Sequence, residues 1–238
     1  MGRKVNREQL MKMIANGDDI RFVDTSWICD MSGLFKDNTT FNQDISRWDV
    51  SNVTDMSEMF HGAFAFNQDI NQWDVSNVKS MEGMFFAAKA FNSDISAWKV
   101  SNVRNMGGMF YQARVFNGNI GSWDVSNVTD MSFMFYGIES FNRDLSKWDV
   151  SNVINMNYMF YGIESFNCDL SRWDMSNALY IGQMFEDSSM THICDLIMKF
   201  EYPREALRDM VGDGMYEEIK DIPLEKIDGY LRIRKIHE

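Results

Sequence analysis

The chain is poor in cysteine and histidine, and it has no long run of apolar residues. Three cysteines among 238 residues are too few and too scattered for a disulfide framework, so we expect free thiols in a reducing compartment. No segment approaches the ~18 consecutive apolar residues of a transmembrane helix, and the N-terminus lacks the apolar core and the cleavage site of a signal peptide. These absences predict a cytoplasmic protein that does not insert into a membrane.

Basic residues are also scarce, and the net charge of −12 argues against non-specific binding to nucleic acid, whose phosphates attract cations. The acidic excess is interrupted at residues 91–115, where three basic residues and one aspartate give a net charge of +2. A candidate basic spot therefore lies near the middle of the chain and consists of Lys89, Lys99, Arg104 and Arg114. Ordinary variation at solvent-exposed positions is the alternative explanation of this spot.

Residue patterns that support catalysis or metal binding are absent as well. His192 and Cys194 lie two positions apart, but no second pair stands at the spacing of metal ligands. There is no glycine-rich loop for phosphate and no nucleophile elbow. The sequence therefore predicts no catalytic residues, no metal ion and no cofactor, and we expect that the protein is not an enzyme.

What the chain has in abundance is one unit of 25 residues, which recurs without insertion or deletion through residues 41–190. Each unit has Phe-Asn at its start, Trp seven positions later and Met-Phe near its end. The first to the sixth unit begin at Phe41, Phe66, Phe91, Phe116, Phe141 and Phe166. Self-similarity at such a period is typical of a solenoid, in which each unit stacks on its neighbours.

Within one unit, the hydrophobic pattern predicts a short strand or turn followed by a short helix. Val53, Met56 and Phe60 follow the spacing of one helix face. Ser51 precedes them at the place of an N-cap. Residues 41–50 have the aromatic and β-branched content of a short strand. The sequence thus predicts an α/β repeat solenoid.

The polar residues that recur in every unit are predicted to hold the units together. We use the word column for a set of equivalent positions in successive units. Two columns of asparagine start at Asn42 and Asn52 and are expected to satisfy backbone groups, while an aspartate column that starts at Asp44 is expected to fix a turn. A ladder of calcium sites is the alternative for the aspartates, although the glycine-rich pattern of calcium-binding β-helices is missing.

The segment 1–40, which precedes the first unit, is predicted to cap the N-terminal end. Asn6 as N-cap, Gln9 three residues later and Gly17 as a stop predict a helix. A degenerate half-unit follows this helix.

The segment 191–238, which follows the sixth unit, is predicted to form the C-terminal cap. Residues 191–200 and 203–212 have helical character, and Pro203 marks the boundary between the two predicted helices. The tail to Glu238 is predicted to form a strand or a docking segment.

The string Phe-Asn-Gln-Asp-Ile-Ser-Arg-Trp-Asp-Val-Ser-Asn-Val-Thr-Asp-Met-Ser-Glu-Met-Phe at 41–60 recurs in each unit. It closely resembles the repeat of the BspA-like leucine-rich-repeat surface-protein family, which includes a repeat domain of unknown function first noted in mycoplasma lipoproteins. The resemblance covers about 41–186 and extends to 22–35. It implies a leucine-rich-repeat-like right-handed superhelix, a role in binding or adhesion without catalysis, and a cell-surface or secreted location as the alternative to the cytoplasm.

Candidate binding residues are found in the columns that vary. The column after each Met-Phe pair is aromatic in five of the six units, if histidine is counted, and ends at Glu186 in the sixth. We call its members His61, Phe86, Tyr111, Tyr136 and Tyr161 the aromatic column. Three positions earlier in their units lie Phe133 and Tyr158, which we call the aromatic pair. Rigid amphipathic rings are typical of partner-binding surfaces; the alternative is that they fill the space between neighbouring helices. A second, polar column consists of Arg47, Gln72, Ala97, Ser122, Lys147 and Arg172.

Together these features predict a non-enzymatic scaffold that binds a protein partner and is itself a monomer. An exported bacterial adhesin or immunogenic surface protein is the alternative function. A third possible function is an acidic mimic of nucleic acid. The basic spot argues against this function, because it interrupts any continuous acidic stripe. No nucleic-acid partner is expected.

Overall fold

The computed structural model describes residues 2–237, with side chains as far as Arg232. The repeated units are stacked on one another in parallel and in register. Single-residue parallel bridges join one column from unit to unit, and its members are Asp30, Asp55, Ser80, Asn105, Asp130, Asn155 and Tyr180. Alternate residues also donate their backbone N–H to the next unit, as Met56 does to the Ser80 carbonyl at 3.0 Å and Phe60 to the Met84 carbonyl at 2.8 Å.

The predicted α/β repeat solenoid with a leucine-rich-repeat-like right-handed superhelix is wrong. Through the units the described backbone consists of consecutive turns, without an α-helix and without a strand longer than one bridging residue. Glu58 and Gly62 have left-handed φ angles of 55° and 66°, and the equivalent residues of the other units share this conformation. Because alternate N–H groups then point to the next unit, they are not available for hydrogen bonds along a helix axis.

Ser51, the predicted N-cap, has a different role in the structure. Ser51 donates its hydroxyl to the Asp49 carboxylate at 2.6 Å, and its backbone N–H donates to the same carboxylate oxygen at 3.0 Å. The bond therefore closes a turn rather than starting a helix.

The apolar side chains of each unit fill one continuous core. Phe60 stacks on Phe66 with ring centroids 3.8 Å apart and on Phe85 of the next unit at 5.5 Å. Trp73 is 4% exposed, and its indole N–H donates to the Ile45 carbonyl at 3.2 Å. The buried indole donor is thus satisfied, as burial requires. Every unit from the first to the sixth repeats this bond, through Trp48, Trp73, Trp98, Trp123, Trp148 and Trp173.

The structural roles predicted for the asparagine and aspartate columns are confirmed. The Asn77 side-chain amide donates to the Ser51 carbonyl of the preceding unit at 2.7 Å. The Asn42 side-chain oxygen accepts the Asn67 backbone N–H at 3.0 Å. The aspartate column closes turns, because each carboxylate accepts the backbone N–H of the residue two positions later. The aspartates that do so are Asp44, Asp69, Asp94, Asp144 and Asp169.

The N-terminal helix is confirmed at the predicted place. Helix α1 spans Arg7–Asn16, and the Asn6 and Gln9 side chains form a complete capping box. Gly17 ends the helix with a φ of 74° and donates its N–H to carbonyls of the last turn. The helix packs on the core through Leu10, which is fully buried.

The C-terminal segment differs from its prediction. The first predicted helix is reduced to α2, Cys194–Ile197, while the second extends further, as α3, Pro203–Ile219. The predicted strand is wrong, because a 3₁₀ turn at Leu224–Lys226 leads into helix α4, Ile227–His237. Glu238 lies outside the described residues. None of the helices described is long and apolar enough to span a bilayer.

The kink inside α3 lets the C-terminal segment close the open edge of the stack. Gly212 has a φ of 75°, which interrupts the helix. The Phe185 N–H of the last unit donates to the Met210 carbonyl at 2.8 Å, and the Gln183 N–H donates to the Asp209 carbonyl at 2.5 Å. Two of the backbone donors that would meet a further unit are therefore satisfied by α3.

Candidate functional site

The structure brings the aromatic column together as a continuous stack of rings on one surface. His61 and Phe86 have centroids 4.4 Å apart, and Phe86 and Tyr111 lie 4.3 Å apart. Tyr111, Tyr136 and Tyr161 continue the stack at 4.6 and 4.8 Å. All these rings are half-buried. The stack follows from the fold, because each unit places the same position directly over the last.

The aromatic pair stands against the C-terminal part of this stack. Phe133 and Tyr158 are parallel to each other, with centroids 4.7 Å apart. Phe133 is tilted by 46° to Tyr136, and Tyr158 is tilted by 52° to Tyr161. The four rings therefore form a corner with two aromatic sides, each of them half-buried.

Both residues of the aromatic pair have a left-handed backbone, with φ angles of 56° for Phe133 and 58° for Tyr158. This conformation costs ~1–2 kcal/mol for residues with a side chain, and it is uncommon for bulky ones. Three other units place glycine in the same column, at Gly33, Gly83 and Gly108. Large rings thus occupy a position where glycine would avoid the backbone strain.

The two ends of the aromatic column are polar. At one end His61 Nδ1 lies 3.5 Å from the Asp37 carboxylate, too far for a hydrogen bond, and this buried nitrogen has no hydrogen-bond partner among the described residues. At the other end the Tyr161 hydroxyl is hydrogen-bonded to Asp187, and this bond, with burial and the nearby acidic charge, raises the pKa of Tyr161 to about 12. Burial first, and then the neighbouring Tyr136, raises the pKa of Tyr111. Both phenols are therefore neutral at physiological pH.

A groove, which we call the glycine groove, opens beside the aromatic column in the second and third units. Gly83 and Gly108 form its floor, and its volume is about 510 Å³. One wall is made of the rings of the aromatic column and the other of acidic and amide side chains, and Phe133 closes its end. The side chains of the lining include Glu58, His61, Glu82, Phe86, Asn105, Tyr111, Asp130, Ser132 and Phe133. The hydrophobic pattern did not reveal this groove, although the recurring glycines are its signal.

The four residues of the basic spot are exposed but are not brought together. Lys89 lies over the Phe64 ring at 4.1 Å. Arg114 is 3.5 Å from the Glu139 carboxylate. Lys99 and Arg104 belong to two further columns, and Arg104 lines a separate groove on another part of the surface. The polar column that begins at Arg47 is also exposed throughout.

The structure gives His192 and Cys194 separate structural roles. His192 Nδ1 lies 2.8 Å from the Arg232 guanidinium. The Cys194 thiol donates to the Leu224 carbonyl at 2.8 Å, and burial, followed by the hydrogen bond with Asp228, raises the pKa of the thiol to about 11. Across the described residues, no group of three or more His, Cys, Asp or Glu side chains is arranged to hold a metal ion.

Comparison with known proteins places the repeat in a family without assigning a function. No curated protein and no solved structure matches the chain. One family profile matches two overlapping regions, residues 7–120 and 91–195. This supports the resemblance to a mycoplasma repeat of unknown function, but not the BspA-like name or a leucine-rich repeat. Because these regions cover most of the chain, it belongs to the family described as Mycoplasma protein of unknown function, DUF285.

Proposed function

We propose that this protein is a non-enzymatic scaffold that binds a protein partner through the aromatic column and the aromatic pair. The observation that carries the proposal is the backbone of Phe133 and Tyr158. Both hold large, half-buried rings in a left-handed column in which three other units have glycine and two have the polar residues Glu58 and Gln183. Strain of this kind persists when a side chain serves a role other than stability.

The chemistry of the rings favours a protein partner. Tyrosine and phenylalanine are enriched in the cores of protein interfaces, where they combine apolar area with a polar tip. Here each ring is fixed between neighbours of the stack, as Tyr136 is between Tyr111 and Tyr161. Side chains that are already ordered lose little conformational entropy on binding, so more of the contact energy contributes to affinity.

A pull-down from the source cell tests this proposal. The full chain is compared with the double variant Phe133→Gly/Tyr158→Gly, which removes the aromatic pair and relieves two left-handed residues. We expect the wild-type chain to recover a reproducible protein partner and the variant to lose it, while both chains unfold cooperatively on heating.

The matched control for this experiment is Gln112→Gly. Gln112 is exposed and also left-handed, with a φ of 50°, so the control repeats the backbone change without removing a ring. It should retain the partner. Equal recovery by the glycine double variant, or no reproducible partner with the wild type, would contradict the proposal.

An exported adhesin is the second candidate, and the resemblance to BspA-like surface proteins favours it. The same aromatic surface would then face molecules outside the cell. Labelling of intact source cells with a membrane-impermeant amine reagent separates the two candidates. Labelled protein supports the adhesin, whereas labelling only after lysis supports an internal scaffold.

A further inference from the structure

The glycine groove is open because two successive units lack a side chain in one column. Gly83 and Gly108 have left-handed φ angles of 56° and 60°, as Phe133 has in the next unit. A methyl group at Gly108 would meet only ordinary contacts, of which the nearest is Phe86 Cδ2 at 3.8 Å. The groove, with its volume of about 510 Å³, is thus open to side chains of another molecule, and Phe133 occupies the equivalent position in the fourth unit.

The aromatic wall of the groove offers ring edges rather than ring faces. His61 covers one face of Phe86 at 4.4 Å, and Tyr111 covers the other at 4.3 Å. A cation therefore cannot lie over the Phe86 face. The exposed edges form an apolar strip along which an aliphatic chain can pack.

The opposite wall carries two carboxylates that have no cationic partner among the described residues. Glu82 accepts the Asn105 amide at 2.9 Å, and Asp130 accepts the Ser132 backbone N–H at 2.8 Å. Neither forms an ion pair with a described residue, whereas Glu58 at the far end of the groove pairs with Lys36 at 2.7 Å. The groove thus places unpaired negative charge beside an apolar strip.

We propose that the glycine groove binds an extended, lysine- or arginine-rich segment of the protein partner. Lysine and arginine match both walls, because their aliphatic stems pack along the ring edges while their charged ends reach Glu82 and Asp130. The net charge of −12 also attracts a basic segment at long range. This inference rests on the proposed function and adds the chemistry of the partner.

Binding of fluorescein-labelled decalysine to the full chain, followed by fluorescence anisotropy at low salt, tests the inference. The decisive variant is Gly108→Phe, which fills the groove and leaves the net charge unchanged. The fold already holds Phe133 in this backbone conformation, with a φ of 56°. We expect Gly108→Phe to weaken decalysine binding by about tenfold, with a cooperative thermal transition as the check on folding.

A pair of matched double variants tests the charge. Glu82→Gln/Asp130→Asn removes the two unpaired groove carboxylates and keeps a turn-closing side chain, since Asn105 in the same column as Asp130 accepts the Gly107 N–H at 2.9 Å. Glu139→Gln/Glu164→Gln removes the same charge from exposed positions away from the groove. The groove variant should bind decalysine about tenfold more weakly, and the control variant within about twofold of the wild type.

Equal affinity of the wild type and Gly108→Phe, or equal losses in the two charge variants, would overturn the inference, because decalysine would then bind the acidic surface in general. The variant Tyr158→Gly, at a residue that does not line the groove, distinguishes this failure from that of the proposed function. It should lose the cellular partner yet keep decalysine affinity, since it leaves the groove lining and both unpaired carboxylates unchanged. If this variant loses the cellular partner but Gly108→Phe binds decalysine as tightly as the wild type, only the basic-segment inference is refuted.

Discussion

The indole N–H of Trp98 donates to the Ile70 carbonyl of the preceding unit at 3.0 Å, inside the core. Trp98 is 3% exposed, so this bond has no water to replace it. A buried polar group that loses its partner costs ~1–3 kcal/mol. The tryptophan of each unit therefore joins neighbouring units by apolar contact and by a directed hydrogen bond at once.

The variant Trp98→Phe should lower the free energy of unfolding by ~1–3 kcal/mol, because it removes one of the two hydrogen bonds that the Ile70 carbonyl accepts, keeps only that from the Trp73 N–H, and leaves a cavity beside it. Urea denaturation followed by circular dichroism measures the change. Trp27, which is 72% exposed, supplies the matched control. Trp27→Phe should change the stability by less than ~0.5 kcal/mol; similar losses in the two variants would argue against the bond as the cause.

A second prediction concerns the left-handed column that begins at Gly62. Gly162 has a φ of 68° and, within the described part of the chain, no atom within 4 Å of where a Cβ would stand, so Gly162→Ala tests backbone strain without a steric clash. It should destabilise the protein by ~1 kcal/mol in urea denaturation. The reciprocal variant Ala87→Gly, at the equivalent position with a φ of 53°, should not destabilise comparably, because it removes that strain. Equal losses would mean that the conformation is not strained in alanine.

The register of the units and the hydrogen bonds of their polar side chains could be predicted from the sequence, whereas the backbone conformation of the units could not. Asn77 and Asp44 were assigned their roles correctly, because an amide or carboxylate repeated at fixed spacing has few structural alternatives. The helix was wrong because consecutive turns also bring a side chain inward every three or four residues. Val53, Met56 and Phe60 therefore follow helical spacing without a helix.

The signal that the hydrophobic pattern concealed was the glycine content of the supposed helix. Glycine is the least favourable helix residue after proline, yet it recurs within that segment. Its positions mark both the left-handed backbone and the floor of the groove. These positions include Gly62, Gly83, Gly108, Gly137 and Gly162. By contrast, phenylalanine and tyrosine are not residue types that indicate a positive φ. The stacked units impose the left-handed backbone of Phe133 and Tyr158.

Acid should destabilise the protein through the aspartates that close its turns. The hydroxyl and then the N–H of the serine two residues later lower the pKa of Asp44, Asp74, Asp144 and Asp149. Since the unfolded chain binds protons more tightly at these groups, their stabilisation is complete above the unfolded pKa of ~3.9 and disappears as the pH falls through the lowered values. The melting temperature should therefore decrease below about pH 4.

Asp144→Asn provides the test of that mechanism. Asparagine already stands in this column at Asn119, so the change is compatible with the fold. The variant should show a shallower decrease of melting temperature with falling pH than the wild type, because one titrating turn has been removed. An unchanged slope would assign the acid sensitivity to other groups.

The last prediction concerns the C-terminal cap. A methyl group at Gly212 would collide with the Glu186 carboxylate, and the φ of 75° there is unfavourable for alanine. Gly212→Ala should therefore displace the kink of α3 that presents the Asp209 and Met210 carbonyls to the sixth unit. Hydrogen exchange measured by NMR should then show lost protection at the Gln183 and Phe185 amides, which donate to these carbonyls.

Gly214→Ala is the control for this change, since Gly214 lies in the same helix and no atom of a described residue comes within 4 Å of its Cβ position. Alanine is preferred to glycine in a helix by ~0.5–1 kcal/mol, so this variant should keep or increase protection at the same amides. If both variants preserve protection at Gln183 and Phe185, the kink at Gly212 is not what closes the stack. If only Gly212→Ala loses it, the left-handed glycine is the residue that allows α3 to end the ladder of backbone hydrogen bonds.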